Sequence, residues 1–344
     1  MENTETVVPE AVLRMRELAH SAVCAAAIRA AARLGVPDAL GDTPATAAAL
    51  ASEVDADADA LARLLRALSS YGVFAEEPDG RFAHTTMSRL LREDAPRGLK
   101  YNALWATEPW SWEVLPRLEE AVRTGKGVFE GLHGKQFFDY LHDGVPESAE
   151  VFDKAMTQSS LLSARAIADA LDLGGVTTVA DIAGGQGRVL ATLLERHPSL
   201  RGILFDLPEV VAGADPRLRE GGAFGGRVRL VGGDCRRSVP GDADVYLLKN
   251  ILEMDDERTV EILRTVAAAG RPGSRVVVLE NLIDGSPELK FTTAMDLLLL
   301  LNVGGRKHTK DGLVALMEKA GLVVGECRAV NSYLHLFEST IPRS

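Results

Sequence analysis

Residues 177–187 read TTVADIAGGQG, a short apolar, β-branched run that ends in an acid and then a glycine-rich loop. A run of that length bounded by glycines is a buried strand, and the helical pattern GRVLATLLERHP that follows, stopped at Pro198, is the helix it feeds. Outward from this unit the alternation repeats. RGILFDLP (201–208), RVRLVGGD (227–234), ADVYLLKN (243–250) and SRVVVLEN (274–281) read as further strands, with the intervening helices clearest at ERTVEILRTVAAAG (257–270). Strand and helix in alternation build a parallel sheet covered on both faces. The end differs. GLVVGECRAV (321–330) and SYLHLFEST (332–340) lie too close together for a crossover helix, so the last strand is expected to run antiparallel to its neighbour.

The first hundred residues carry another pattern. Pro9 to Leu34 is rich in Ala, Leu, Arg and Glu at helical spacing and stops at Gly35 and Pro37. Thr46 is an expected N-cap for a short helix ending near Val54, and Asp55 or Asp57 opens another with Leu61, Leu64, Leu65 and Leu68 on one face. VFAEEPDGRFAHT (73–85) alternates around a Pro-Asp-Gly turn, a small hairpin. Helix, helix, hairpin is a winged-helix pattern, a module that binds DNA in some proteins and packs against a partner in others. Residues 1–100 hold 11 Lys plus Arg against 15 Asp plus Glu, and the second helix opens on Asp55, Asp57 and Asp59, where a DNA reader needs cations. A dimerisation or substrate-lid role is the better expectation. Residues 101–170 read as mostly helical and hold Trp105, Trp110 and Trp112, with the segments GKQFFDYL (134–141) and AEVFDKAMTQSS (149–160).

The whole chain of 344 residues has 38 Lys plus Arg against 49 Asp plus Glu, a net charge of −11 that disfavours nucleic acid and anionic membrane as partners. Cys24, Cys235 and Cys327 are odd in number and far apart, which suggests neither a disulfide framework nor a zinc site and makes a reducing cytosol the expected compartment. The opening MENTETVVPE lacks the basic-then-apolar pattern of a signal peptide, and the apolar run MDLLLLLNV (295–303) is too short to span a bilayer.

Three polar points mark a crevice at the carboxyl ends of successive strands. Gly184, Gly185 and Gly187 let the backbone turn and let a ligand approach amides at a helix start. Asp206 follows Gly187 by 19 residues, where an acid can accept from both ribose hydroxyls, and Asp234 is placed to accept from an adenine amino group. Each has a plainer reading, a tight turn for the glycines and a cap or solvated loop for the acids. Their convergence on one crevice favours a nucleotide site. A dehydrogenase is disfavoured, because Leu190 stands where a third fingerprint glycine belongs.

DIAGGQG, FDLPEVV, VGGD and LLKNILEMDDERTVEILR, in this order and spacing, resemble the class I S-adenosylmethionine-dependent O-methyltransferases of bacterial secondary metabolism, relatives of the plant caffeate O-methyltransferases. The likeness covers nearly the whole chain. It implies an α/β fold: a Rossmann-like methyltransferase sheet with an antiparallel last strand over 101–344, including a helical substrate-binding linker at 101–170. Residues 1–100 would form a mostly helical winged-helix dimerisation domain. It further implies S-adenosyl-L-methionine as cofactor, S-adenosyl-L-homocysteine as product, no metal, and a homodimer. By this resemblance Asp181, Gly184, Gly185 and Gly187 hold the methionine end of the cofactor, Asp206 and Leu207 the ribose, Asp234 and Cys235 the adenine ring, and Lys249 lies beside it. Trp105, Phe152, Met156, Met295 and Asn302 would line the pocket of a small aromatic or polyketide-type acceptor. Ala183 stands where the family has a further glycine, a departure that ordinary φ/ψ would tolerate.

The catalytic loop departs further. The family's general base is a histidine in a stretch reading roughly LHDWDDE, whereas this chain has Leu252-Glu253-Met254-Asp255-Asp256-Glu257, without histidine or tryptophan and one residue shorter. At GGRKHT (304–309) Lys307 replaces a supporting glutamate, with His308 next to it. Three explanations stay open. Glu253 takes over as base, with His308 as the best-placed substitute histidine. Alternatively the acceptor is acidic enough, or carbon-centred, so that alignment with the methyl group suffices. Or the chemistry has changed to decarboxylation, hydroxylation or ring formation. Asp255, Asp256 and Glu257 read as first-turn acids complementing a helix dipole rather than as metal ligands.

Overall fold

The computed structural model describes residues 8–285 and 289–343, without the side chains of 142, 143 and 289, so the stretch 1–7 whose charge pattern is read above lies outside it. The chain folds as two compact units that part between Pro109 and Trp110.

In the first unit the alanine-rich start is two helices, Glu10–Ala19 and Ser21–Leu34, rather than one. The break falls at His20, whose ring nitrogen and backbone N–H both turn back to the Arg16 carbonyl. The first of the two buries none of its residues. The second ends at Gly35 in the left-handed region (φ 73°). Thr46 caps helix Ala47–Glu53 by accepting from Ala49 N–H at 3.2 Å, and Asp57 caps helix Ala58–Ser70 by accepting from Ala60 N–H at 2.8 Å. Strands β1 (Phe74–Glu76) and β2 (Phe82–His84) pair antiparallel, and Ala45 adds a bridge to Phe82. Leu50, Leu61, Leu65, Leu68, Phe74 and Phe82 close the core beneath this wing. The acids at the second helix start thus serve as a cap and first-turn charge.

The second unit carries β3 (Thr178–Ile182), β4 (Arg201–Asp206), β5 (Val228–Gly232), β6 (Val245–Lys249), β7 (Arg275–Glu280), β8 (Val323–Ala329) and β9 (His335–Thr340). They form one sheet in the order β5-β4-β3-β6-β7-β9-β8. The first five strands are parallel, and β9 runs antiparallel to both β7 and β8, as the short connection requires. Successive residues face opposite sides of the sheet. Tyr246 and Leu248 pack with Leu263 and Val266 of helix Asp256–Ala269. Val245 and Leu247 pack on the other face with Leu190 and Leu194 of helix Arg188–Arg196 and Ile167 of helix Pro146–Ala170. Among the described residues no helix is long and apolar enough to cross a membrane.

The sheet grows one way from β3 to β5 and resumes on the other side of β3 with β6, which puts a topological switch point at the carboxyl ends of β3 and β6. The residue following each of these strands is left-handed without being glycine: Ala183 at φ 50° and Asn250 at φ 52°. The expectation of ordinary backbone at Ala183 is therefore corrected. The loop keeps the conformation a glycine would favour, at a strain of about 1 kcal/mol.

At the opposite end of the sheet Asp244 ties three strands together. Its Oδ2 accepts from Thr177 N–H (2.8 Å) and Thr178 N–H (3.0 Å), its own N–H donates to Thr178 O, and its carbonyl accepts from Arg275 N–H. Replacing Asp244 with alanine should cost about 1.5–3 kcal/mol in urea unfolding, the range for hydrogen bonds to a charged group. Ligand binding at the carboxyl end should stay unchanged, and an unshifted unfolding midpoint would remove this clamp from the account.

Candidate active site

Asp181, the penultimate residue of β3, is 1% exposed, and its Oδ2 is buried without a hydrogen-bond partner among the described residues. The loop closes directly over it: a Cβ on Gly184 would stand 2.6 Å from Asp181 Cγ, so only glycine fits. Gly185 (φ 60°) and Gly187 (φ 81°) satisfy the plain tight-turn reading, and Gly187 leads into helix Arg188–Arg196. The Asp206 carboxylate at the end of β4 accepts from Gly185 N–H and from Leu207 N–H, both at 2.7 Å. It thereby fixes the glycine loop, and a carboxylate has lone pairs for further donors.

Helix Pro146–Ala170 passes this end of the sheet. Thr157 donates from its hydroxyl to Gln186 Oε1 in the glycine loop (3.1 Å), and Lys249 Nζ at the end of β6 reaches Ser160 Oγ at 3.5 Å. Neither hydroxyl stands out in the segment AEVFDKAMTQSS. Their three-residue spacing is the signal that puts them on one face.

A cluster of ionisable groups lies at the same level. Burial raises Asp181 to about 7, with Lys249 opposing and Asp206 adding to the shift. Burial also lowers the pKa of Lys249, against the pull of Glu280, Asp181 and Glu253. Glu280, at the end of β7, is raised to about 8 by burial and then by Glu253, while Lys307 and the Leu252 N–H oppose. At neutral pH all three groups are driven toward their uncharged forms.

The loop carrying Glu253 is gripped on both sides. Leu252 N–H donates to Glu280 Oε1 (3.0 Å), while Leu252 O accepts from His308 Nε2 (2.8 Å) and from Thr259 Oγ1 (3.2 Å). A Cβ on Gly305 would stand 2.1 Å from Glu253 O. Glu253 Oε1 accepts from Lys307 Nζ, and Lys307 N–H donates to Asp296 Oδ1 at 2.6 Å. His308 is buried, which lowers its pKa, and its Nε2 hydrogen is spent on the Leu252 carbonyl. As placed, His308 holds the loop.

Asp234 is engaged by its own neighbour. Its carboxylate accepts from Arg236 N–H (2.9 Å) and from the guanidinium Nε (2.9 and 3.0 Å). Burial raises its pKa, and these Arg236 bonds outweigh that and hold it low. Burial pushes the Cys235 thiol up to about 12, so it stays protonated and packs on the core beneath. Phe152 stands 6.1 Å from both Phe137 and Phe138, in an aromatic cluster that includes Trp110. Met295 and Asn302 lie on helix Leu289–Val303, and Asn302 Oδ1 is buried without a partner among the described residues. Trp105 belongs to the first unit, buried at the end of helix Lys100–Trp105.

The chain is similar to known proteins along most of its length. Residues 115–323 match an O-methyltransferase domain and residues 16–94 an O-methyltransferase dimerisation domain. A mitomycin biosynthesis 6-O-methyltransferase of Streptomyces lavendulae is 38% identical over 312 residues, covering 90% of this chain and 88% of that one. An aclacinomycin 10-hydroxylase of Streptomyces purpurascens is 34% identical over 322 residues, covering 92% and 85%. A methyltransferase of calicheamicin biosynthesis, solved in its S-adenosyl-L-homocysteine-bound form, superposes with a TM-score of 0.82 at 33% identity over 100% of both chains. With the glycine loop and the switch point in place on this fold, the chain belongs to the O-methyltransferase family, a methyltransferase domain preceded by a dimerisation domain.

Proposed function

We propose that the protein is an S-adenosyl-L-methionine-dependent methyltransferase that methylates a hydroxyl oxygen on a small aromatic or polyketide-type natural-product intermediate. One observation carries this reading: the buried, unpartnered Asp181 Oδ2 beneath a loop that only glycine can close. An amino-acid ammonium fits such an oxygen, so the residues present suit this cofactor. When bound, the cofactor supplies a methyl group on a sulfonium. Asp181 with Gly184, Gly185 and Gly187 would hold its methionine end, Asp206 and Leu207 its ribose, Asp234 and Cys235 its adenine, with Lys249 alongside. Asp234 would first have to share its carboxylate with Arg236.

Met156, Met295 and Asn302 are the proposed acceptor contacts, with the unpartnered Asn302 amide oxygen as polar anchor. Phe152 completes the set by resemblance. One Glu253 oxygen is committed to Lys307 and the His308 Nε2 hydrogen to Leu252, which favours alignment over general base catalysis. Residues 1–100 are proposed as the homodimer module and 101–344 as the catalytic one. The exposed Val12, Leu13, Met15 and Leu18 on a helix that buries nothing support self-association. The three free cysteines suit a reducing cytosol.

A second reading has its own support. The altered base position and the hydroxylase relative both fit a methyltransferase fold turned to non-methylating chemistry. Incubation with labelled S-adenosyl-L-methionine and a panel of phenols and anthraquinones separates the two. Methylated product with stoichiometric S-adenosyl-L-homocysteine is expected, whereas an oxygenated product without transferred label would establish the second reading.

Three variants test the assignments. Asp206→Ala should weaken cofactor binding at least about 100-fold by calorimetry, because both the ribose partner and the anchor of the glycine loop are lost. Cofactor affinity should rise as pH climbs through about 7, since Asp181 must shed its proton to meet an ammonium, and Asp181→Asn should flatten that profile. Glu253→Gln should retain turnover within about tenfold if alignment carries catalysis, and a loss of about 100-fold or more would restore Glu253 as the base.

A further inference from the structure

Lys307 is a buried ammonium with unused hydrogen-bonding capacity. Its side chain is 6% exposed, and Glu253 Oε1 is its one side-chain partner among the described residues. An ammonium has three donors, so two remain to be placed. The groups around it come from every element that packs there. Glu253 and, through the loop, Asp256 lie on one side; Asp296 of helix Leu289–Val303 takes the Lys307 backbone N–H; Glu280 and Lys249 close the ends of β7 and β6; His308 is next in sequence. Burial drives Glu280, Lys249 and His308 toward neutrality, which leaves the Glu253 carboxylate on the ammonium and the Asp296 carboxylate on the backbone N–H as the anions in contact with Lys307.

We propose that Lys307 is a specificity-determining residue that selects acceptors whose target hydroxyl is ionised, offering its free N–H donors to the phenolate oxygen. The proposal rests on the methyl-transfer reading above and names the acceptor class: phenols, hydroxyquinones and related acidic hydroxyls that lose their proton to solvent on binding. The phenolate lone pair then forms the O–CH₃ bond, the C–S bond breaks, and its electron pair neutralises the sulfonium to a thioether. No protein base is needed. A cation within about 4–6 Å lowers the pKa of such a hydroxyl by about one unit or more, and Lys307 would do this at the moment of binding.

The test is a pH titration of 1,2-dihydroxyanthraquinone, whose absorption shifts on ionisation, bound to the full-length protein saturated with S-adenosyl-L-homocysteine. The bound dye should ionise at least about one pH unit below the free dye. Lys307→Met should abolish the shift and Lys307→Arg should keep it. Glu253→Gln, which releases the ammonium from its partner, should deepen it. Calorimetric binding of S-adenosyl-L-homocysteine verifies that each variant is folded, and Glu253→Gln keeps the test intact should Lys307→Met fail that control. A dye that does not bind, that ionises alike free and bound, or whose shift survives in Lys307→Met or stays unchanged in Glu253→Gln overturns the assignment. Because turnover is absent, these outcomes are independent of whether methylation is observed in the labelled-cofactor assay.

Discussion

Taking ionisable groups out of water is the constraint around which the carboxyl end of the sheet is organised. Because β3 to β7 are all parallel, their carboxyl ends lie at one level, and three ionisable groups are withdrawn from water there: Asp181, one residue before the end of β3, with Lys249 and Glu280 at the ends of β6 and β7. A fully charged set in so dry a place would cost several kcal/mol per unpaired ion. The structure meets the cost by moving all three toward their neutral forms while keeping them within each other's field. Such a set takes up charge readily when a charged ligand arrives, which is the property a sulfonium cofactor with an ammonium and a carboxylate demands.

The same groups do structural work on the neighbouring loop. Glu280 receives the Leu252 N–H, and His308 and Thr259 donate to the Leu252 carbonyl, so both faces of one residue are satisfied by side chains from three elements. A buried backbone segment outside a helix or strand must find such partners. With Gly305 admitting the Glu253 carbonyl where a Cβ would collide, the loop one residue shorter than the family pattern is still rigidly placed. Rigid placement of a side chain on a loop is what alignment-driven transfer needs.

The sheet was legible because period and punctuation agree along it: alternating strands and helices, glycines after the first strand, acids at strand ends, and a last connection too short for a crossover. The caps at Thr46 and Asp57 were legible for the same local reason. Other features were hidden by distance or by residue type. Alanine and asparagine do not announce a left-handed backbone, so the paired strain at Ala183 and Asn250 shows only in the fold. Glu253 and Lys307 are 54 residues apart, and nothing local to either marks the other. Glu280 reads in sequence as the end of an apolar strand, while its role as acceptor for Leu252 depends on a loop 28 residues upstream. Tertiary contacts between loops are the part of a site that local pattern does not encode.

The exchange at the catalytic loop is best understood as a change of charge as well as of residue. In the family pattern a neutral imidazole stands beside a glutamate, a pair of net charge −1 with a lone pair ready for a proton. Here Glu253 stands beside Lys307, a pair of net charge zero in which the carboxylate is held by the ammonium. One substitution alone would leave a buried charge unpaired, at a cost of about 3–5 kcal/mol, so the two changes make physical sense only together. On the proposed reading, their joint effect removes the base and, in the same step, removes a negative charge that would repel an anionic oxygen. A site altered in this way has less means to deprotonate a hydroxyl and more room for one that has already lost its proton. The missing histidine is then one half of a coherent electrostatic change, whose other half is the lysine.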